Sequence, residues 1–157
     1  MDKYTVIRDT REQTGWIFKS TQHCEGTEVA GLKTGDYTIK GCEDILCVER
    51  KGSIAEFANN LVKDWDRFCR ELDRMESYTY SFIVLEFSMA DLIDYPRSAD
   101  LPQKIKKKIV VTGSLLLKRL IEIQTKYHTK ILFCGDRGQD VVTAIFKNVQ
   151  QINTAAK

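Results

Sequence analysis

Glu49 and Lys51, two positions apart, carry the sharpest chemical signal in this chain of 157 residues. They close the run Ile45-Leu46-Cys47-Val48, which is apolar enough for a central strand covered on both faces. Alternate side chains of a strand share a face, so the carboxylate and the ammonium point to the same side of the sheet. With a second carboxylate from a neighbouring strand, such an edge can hold a divalent cation of the hard, oxygen-seeking kind and orient a water. The cation would lower the pKa of that water and neutralise charge on a phosphoryl oxygen, while the lysine stabilises what remains. Asp36, ahead of a short strand, and Asp9, closing the first one, are the carboxylates placed to join them. An acid and a lysine two apart at a strand end also occur as an ordinary surface pair, and spacing alone leaves both readings open.

Hydrophobic periodicity supplies the elements that must position these residues. Tyr4 to Asp9 is expected as a first strand, Trp16-Ile17-Phe18 as a short second one and Tyr37-Thr38-Ile39 as another, while the polar stretch from Lys19 to Gly31 has no assigned element. Ser53 caps a long helix, with Glu56 three residues on completing a capping-box pattern. Ile54, Phe57, Leu61, Trp65, Phe68, Leu72 and Met75 form its apolar stripe, and Lys63, Asp64, Arg67, Arg70, Glu71 and Arg74 its polar face. Tyr80 to Phe87 is the next strand, so strand, helix and strand make a βαβ unit with a parallel pairing. Residues 88–102 hold both prolines and read as a loop with one short helical turn. A second long helix is expected from Gln103 to about Lys126, a last strand over Lys130–Cys134, and a final helix from Asp136 or Gly138. With neither repeat nor linker, residues 1–157 read as one α/β domain.

In order along the chain, Asp9-Thr10-Arg11-Glu12-Gln13, Gly35-Asp36-Tyr37 and Val48-Glu49-Arg50-Lys51 resemble the signature of the XPF-type structure-specific DNA endonucleases, which include eukaryotic repair and recombination enzymes and the archaeal Hef protein. Phe82-Ile83-Val84-Leu85-Glu86 is similar to the family's hydrophobic strand ending in Glu, and Lys130–Phe133 with the helix after it to the family's last strand and helix. The resemblance implies a restriction-endonuclease-like three-layer sandwich of ERCC4 type, a mixed and partly parallel sheet flanked by helices. It implies metal-dependent cleavage by Mg²⁺ or Mn²⁺ of phosphodiester bonds near flaps, forks or other branched junctions. Asp36 and Glu49 become metal ligands with the main-chain carbonyl of Arg50 and the carboxylate of Asp9, and Lys51 becomes the catalytic lysine near the attacking water. Arg11 and Glu12 buttress the site or, in the case of Arg11, touch the phosphate. Arg50 either pairs with Glu12 or Glu86 or touches substrate. Arg67 stands near the family's helix arginine, and Glu71 or Arg70 near its glutamine. Glu56 comes one position later than the family's following acidic residue and serves either as that residue or as a helix cap. A catalytically silent DNA-binding or partner-stabilising module, and a sequence-specific endonuclease of the same broad fold, fit the same residues.

The formal charge of +2 conceals an asymmetry: residues 1–102 hold 13 Lys+Arg against 19 Asp+Glu, residues 103–157 hold 11 against 3. The basic end, led by Lys104, Lys106, Lys107 and Lys108, suits the phosphates of DNA, and the chain is expected to lack the family's helix-hairpin-helix module. Leu115, Leu117 and Ile121 with Ile145 and Val149 suggest a homodimer through the C-terminal helices. Five cysteines without a CxxC pair exclude a paired-cysteine zinc site and point to free thiols in a reducing compartment. No apolar run spans a membrane and no signal peptide is visible. An intracellular location is therefore expected: cytoplasmic in a microbe, inside the host cell for a virus, nuclear in a eukaryote.

Overall fold

Alternation along the fourth strand organises the molecule, because that strand faces apolar side chains on both sides. A computed structural model describes residues 2–157; Met1, the first residue of the expected domain, lies outside the described residues. The strands are β1 Tyr4–Asp9, β2 Cys24–Ala30, β3 Tyr37–Ile39, β4 Leu46–Lys51, β5 Tyr80–Leu85 and β6 Lys130–Phe133. They form one sheet in the order β2-β1-β3-β4-β5-β6. The pairs β1–β2, β4–β5 and β5–β6 are parallel, and β3 is antiparallel to β1 and to β4. Cys47, Ile83 and Leu85 face one layer with the side chains of α1 Ile54–Leu61, α2 Trp65–Met75, α3 Met89–Ile93 and α5 Gly113–Lys126. Leu46, Val48 and Val84 face the other, against α6 Gly138–Ala155. The mixed, helix-covered sheet is the expected α/β sandwich, and β4–α1–α2–β5 is the expected parallel unit. Each large side chain buried in these layers contributes about 1.5–3 kcal/mol.

Three expectations need correction. Trp16-Ile17-Phe18 is not a strand. It lies in a segment laid over the α6 layer, with the Trp16 N–H donating to the Tyr37 hydroxyl at 2.8 Å and the Phe18 N–H to Thr27 Oγ1 at 2.8 Å. The second strand is β2, inside the stretch left without an element. It is an edge strand with only Cys24 buried, so it carries little apolar alternation.

The first long helix is two. Its backbone leaves helical geometry at Val62 (φ −124°, ψ −74°), and the Asp64 N–H donates to the Asn59 carbonyl at 2.8 Å. Two asparagines and a β-branched valine are weak helix formers placed at the corner. The apolar stripe runs on unbroken, so periodicity alone does not reveal the break.

The second long helix also splits, into α4 Gln103–Lys106 and α5. Between them Ile109-Val110-Val111-Thr112 is a β-branched run, disfavoured in helices. Gly113 then starts α5 against the end of α3, where a Cβ would stand 1.9 Å from the Ile93 carbonyl oxygen. Ile105, which one continuous helix would turn toward the core with Ile109 and Leu116, is consequently exposed.

All five cysteines are free. Among the described residues no helix is long and apolar enough to cross a membrane.

Candidate active site

Gly35 fixes the first carboxylate. Its φ of +83° lies in the region that favours glycine, and a Cβ there would meet Cys47 Sγ at 2.6 Å. Past this turn, the Asp36 N–H donates to the Val48 carbonyl at 2.9 Å, while Asp36 Oδ2 accepts from the Arg50 N–H at 2.8 Å. Asp36 is thus fastened at both ends to β4, the strand that carries the next two groups.

Glu49 and Lys51 point to the α1/α2 side, as the period of two requires, and Lys51 Nζ lies 3.2 Å from Glu49 Oε1. Both side chains are buried. Their neighbours across the parallel ladder, Ile83 and Leu85, are wholly buried and give the pair an apolar floor. Lys51 Nζ also sits 5.4 Å from the centre of the Phe68 ring, on α2. From the same helix Glu71 hydrogen-bonds the Glu49 carboxyl. These groups border a cleft of about 330 Å³ with Asp9, Arg11, Glu56, Asn60, Asp64, Arg67 and Arg74.

Three carboxyls, Asp36, Glu49 and Glu71, share the cleft with one buried ammonium. Burial pushes Asp36 up to about 6, against the lowering effect of the Arg50 N–H. Burial and the Asp36 charge hold Glu49 well above the usual carboxylate range. For Lys51 burial favours the neutral form, but the charges of Glu49, Glu71 and Glu56 outweigh it and raise its pKa. Asp36, Glu49 and Lys51 therefore hold their protons unusually tightly, and their end of the cleft is short of positive charge. Asn60 Oδ1, buried on its wall, has no hydrogen-bond partner among the described residues. Oxygen donors in deficit of a cation are the chemistry a hard divalent ion satisfies. Among the described residues, however, no three His, Cys, Asp or Glu side chains converge on one ion position. Asp36 and Glu49, the two carboxylates singled out in the sequence, border this cleft together.

Asp9 borders the same cleft with both oxygens engaged. Oδ1 accepts from the Leu32 N–H at 2.8 Å, and Oδ2 accepts from Arg11 Nε at 2.6 Å and the Arg11 N–H at 3.2 Å. Burial raises its pKa, but these donors prevail and leave it below the ordinary value. Arg11 spans from Asp9 to the Leu32 carbonyl at 3.0 Å and stays largely exposed on the rim.

Glu12 stands off the cleft, in a small cavity of about 120 Å³ with Arg50 and Glu56, where burial raises its pKa. Arg50 points to the opposite face of β4 and pairs with Glu86 (Nη2 to Oε2, 3.0 Å), donates to the Thr14 carbonyl at 3.1 Å and lies 4.3 Å over the Trp16 ring. Of its two readings the ion pair with Glu86 is the one observed. Glu56 caps: its Oε2 accepts from the Gly52 N–H at 3.1 Å, and its own N–H donates to Ser53 Oγ at 3.2 Å. Arg67 is exposed at the cleft wall. Lys104, Lys106, Lys107 and Lys108 are not among the residues lining the cleft, and Lys106 Nζ donates to the Arg97 carbonyl at 2.9 Å.

The side chains missed from sequence are Asn60, Asp64 and Arg74, while Glu71 was one of two candidates for the family's helix glutamine. With Arg67 they recur at steps of four, three, four and three, a polar stripe beside the apolar one. That spacing was available in the sequence, although it is also the pattern of an ordinary solvated helix face.

Residues 8–141 match the family model described as the ERCC4 domain. Among solved structures, the chain is similar to XPF from Aeropyrum pernix, at 20% identity and a TM-score of 0.60, over 96% of this chain and 65% of that one. It is similar also to XPF from Aeropyrum pernix in complex with DNA, at 19% identity and 0.61, over 96% and 66%. The chain thus spans slightly less than two thirds of each archaeal chain it matches. No curated protein matches the sequence significantly.

Proposed function

Because the chain belongs to the ERCC4 domain family, we propose that it is a metal-dependent DNA endonuclease hydrolysing phosphodiester bonds near flaps, forks or other branched junctions. The observation that carries the proposal is the convergence of Asp36, Glu49 and Lys51 in one buried cleft whose carboxyls outnumber its cations. DNA as substrate is supported by the family and by the archaeal XPF solved with DNA.

Asp36 and Glu49 would hold Mg²⁺ or Mn²⁺, with the Arg50 carbonyl as a main-chain donor. When bound, such an ion lowers the pKa of a coordinated water and neutralises charge on a phosphoryl oxygen. The protein's own part follows from the geometry. Lys51, kept charged by Glu49 and Glu71, orients the attacking water and stabilises negative charge on the phosphate. Glu71 adds to the upward push on the Glu49 carboxyl, behind burial and the Asp36 charge. Asp9 acts by position: with both oxygens engaged it pins Arg11 and residues 31–32 against the cleft, and Arg11 is then placed to meet a phosphate. Arg67 meets the backbone on the opposite wall. Lys104, Lys107 and Lys108 add sequence-neutral attraction at a distance.

Purified protein incubated with branched and linear DNA in Mg²⁺ or Mn²⁺ tests this. Cutting confined to junctions and lost in Asp36→Ala is expected. No cutting by the wild type would leave a silent DNA-binding module, and cutting that follows sequence across identical junction shapes would favour a sequence-specific enzyme. A homodimer is proposed through exposed Ile121 of α5 and Ile152 of α6, with Leu115, Leu117 and Ile145 beside them. Val149, expected on that surface, is instead buried in the α6 core. Light scattering showing a monomer at micromolar concentration would remove the dimer.

A further inference from the structure

The corner between α1 and α2 builds a second, basic pocket against the wall of the catalytic cleft. Lys63, Arg67, Arg70 and Arg119 surround it, together with Asp64 and Asp66, over a volume of about 460 Å³. Four cations against two carboxylates leave an excess of positive charge. Asp64 and Arg67 belong to both cavities, so a chain leaving the cleft past Arg67 enters this pocket directly.

The cations are poised differently. Lys63, Arg67 and Arg70 have no hydrogen-bond or ion-pair partner among the described residues, and all three are exposed. Arg119, reaching across from α5, is held in place. Its guanidinium lies 4.4 Å over the Trp65 ring, Nη1 pairs with Glu122 at 3.1 Å, and its Nε is buried without a partner. A fixed, planar guanidinium ringed by exposed, unpaired cations is suited to a phosphate oxygen. The sequence separates Lys63 from Arg119 by more than fifty positions, so only the fold shows that they serve one pocket.

We propose that this pocket binds a backbone phosphate of the DNA strand next to the scissile one, so that the strand leaves the cleft along α2. The inference rests on the endonuclease reading and adds to it a direction for the strand. It requires no base contact, in keeping with recognition of DNA shape.

Filter binding with junction DNA in EDTA, where nothing is cut, tests it. For Lys63→Ala/Arg70→Ala, the slope of log Kobs against log salt is expected to flatten by about 0.7–0.9, the loss of one phosphate contact. The location is tested with DNA carrying one neutral methylphosphonate at each position flanking the cut. Wild type should lose affinity when one flanking phosphate on one side is neutralised. The double variant should be indifferent to that same change, while Lys104→Ala/Lys107→Ala should keep the wild-type sensitivity. Arg119→Gln, which preserves most of the packing on Trp65, should also lose it. Equal sensitivity of wild type and Lys63→Ala/Arg70→Ala at every position overturns the pocket while leaving the endonuclease reading intact. A slope unchanged on DNA would return these cations to another acidic partner. Wild-type protein that neither binds nor cuts DNA overturns both.

Discussion

Two ion pairs stand side by side on β4 and face opposite ways. Glu49 and Lys51 are 3.2 Å apart on one face, and Arg50 and Glu86 are 3.0 Å apart on the other. Distance does not separate their roles. The Arg50 pair is closed: two donors reach the Glu86 carboxylate, a third reaches a backbone carbonyl, and the guanidinium stacks on Trp16. Nothing in it awaits a ligand. The Glu49 pair is open: Lys51 faces several carboxylates, Glu49 is crowded by Asp36 and Glu71, and the surplus charge is negative. A buried pair that is fully satisfied holds a fold together, whereas one left unbalanced is available to a cation or a substrate.

The largest effect expected is on Glu49→Gln. Cleavage should fall by about 10³-fold or more, while the metal-free protein, relieved of a buried like charge, loses no stability in urea. A large loss of stability would erase the distinction between the two pairs.

A pH series sharpens it further. Asp36 has a folded pKa of about 6 against an ordinary 3.8, so the folded state keeps a proton that the unfolded chain gives up. The associated stability is full below about 4 and is lost as pH rises through about 6, amounting to about 3 kcal/mol at most. Mg²⁺ should restore it above pH 6 and do little at pH 4. Stability of the metal-free protein that rises across that window contradicts the open cleft.

Glu86→Ala acts on the closed pair and should cost about 2–3 kcal/mol in urea unfolding, with cleavage at 25 °C changed much less than in Glu49→Gln. The smallest effect is the coupling between Arg50 and Trp16, about 0.5–1 kcal/mol in a double-mutant cycle. A coupling of zero would reduce the stack to bystander packing.

Strand β4 was legible because its signal is local: an apolar run, a period of two and a charged end. Asp36 was legible through the glycine before it, whose turn the structure requires. Asn60 was not, and Glu71 only as one of two candidates for a helix position, since a polar residue on a helix looks the same whether it faces water or a cleft. That difference is decided by how α2 lies on the sheet, a long-range fact. The helix breaks at 62–64 and 107–112 escaped for the opposite reason: apolar spacing continued through them while the local backbone preferences of Val62 and of the run 109–112 prevailed. Asp9 borders the cleft, but its engagement by Leu32 depends on a loop that returns from twenty-three residues away.

The chain has two tryptophans, and each lies under a guanidinium on a different side of the sheet, Trp16 beneath Arg50 and Trp65 beneath Arg119. The molecule therefore carries two intrinsic optical reporters. With Trp65 replaced by phenylalanine, the remaining emission follows the closed ion pair and so the integrity of the fold. With Trp16 replaced, it follows the basic pocket between α2 and α5 and whatever settles there. Comparing the two spectra during a titration separates occupancy of the site from unfolding of the protein without a label on either partner.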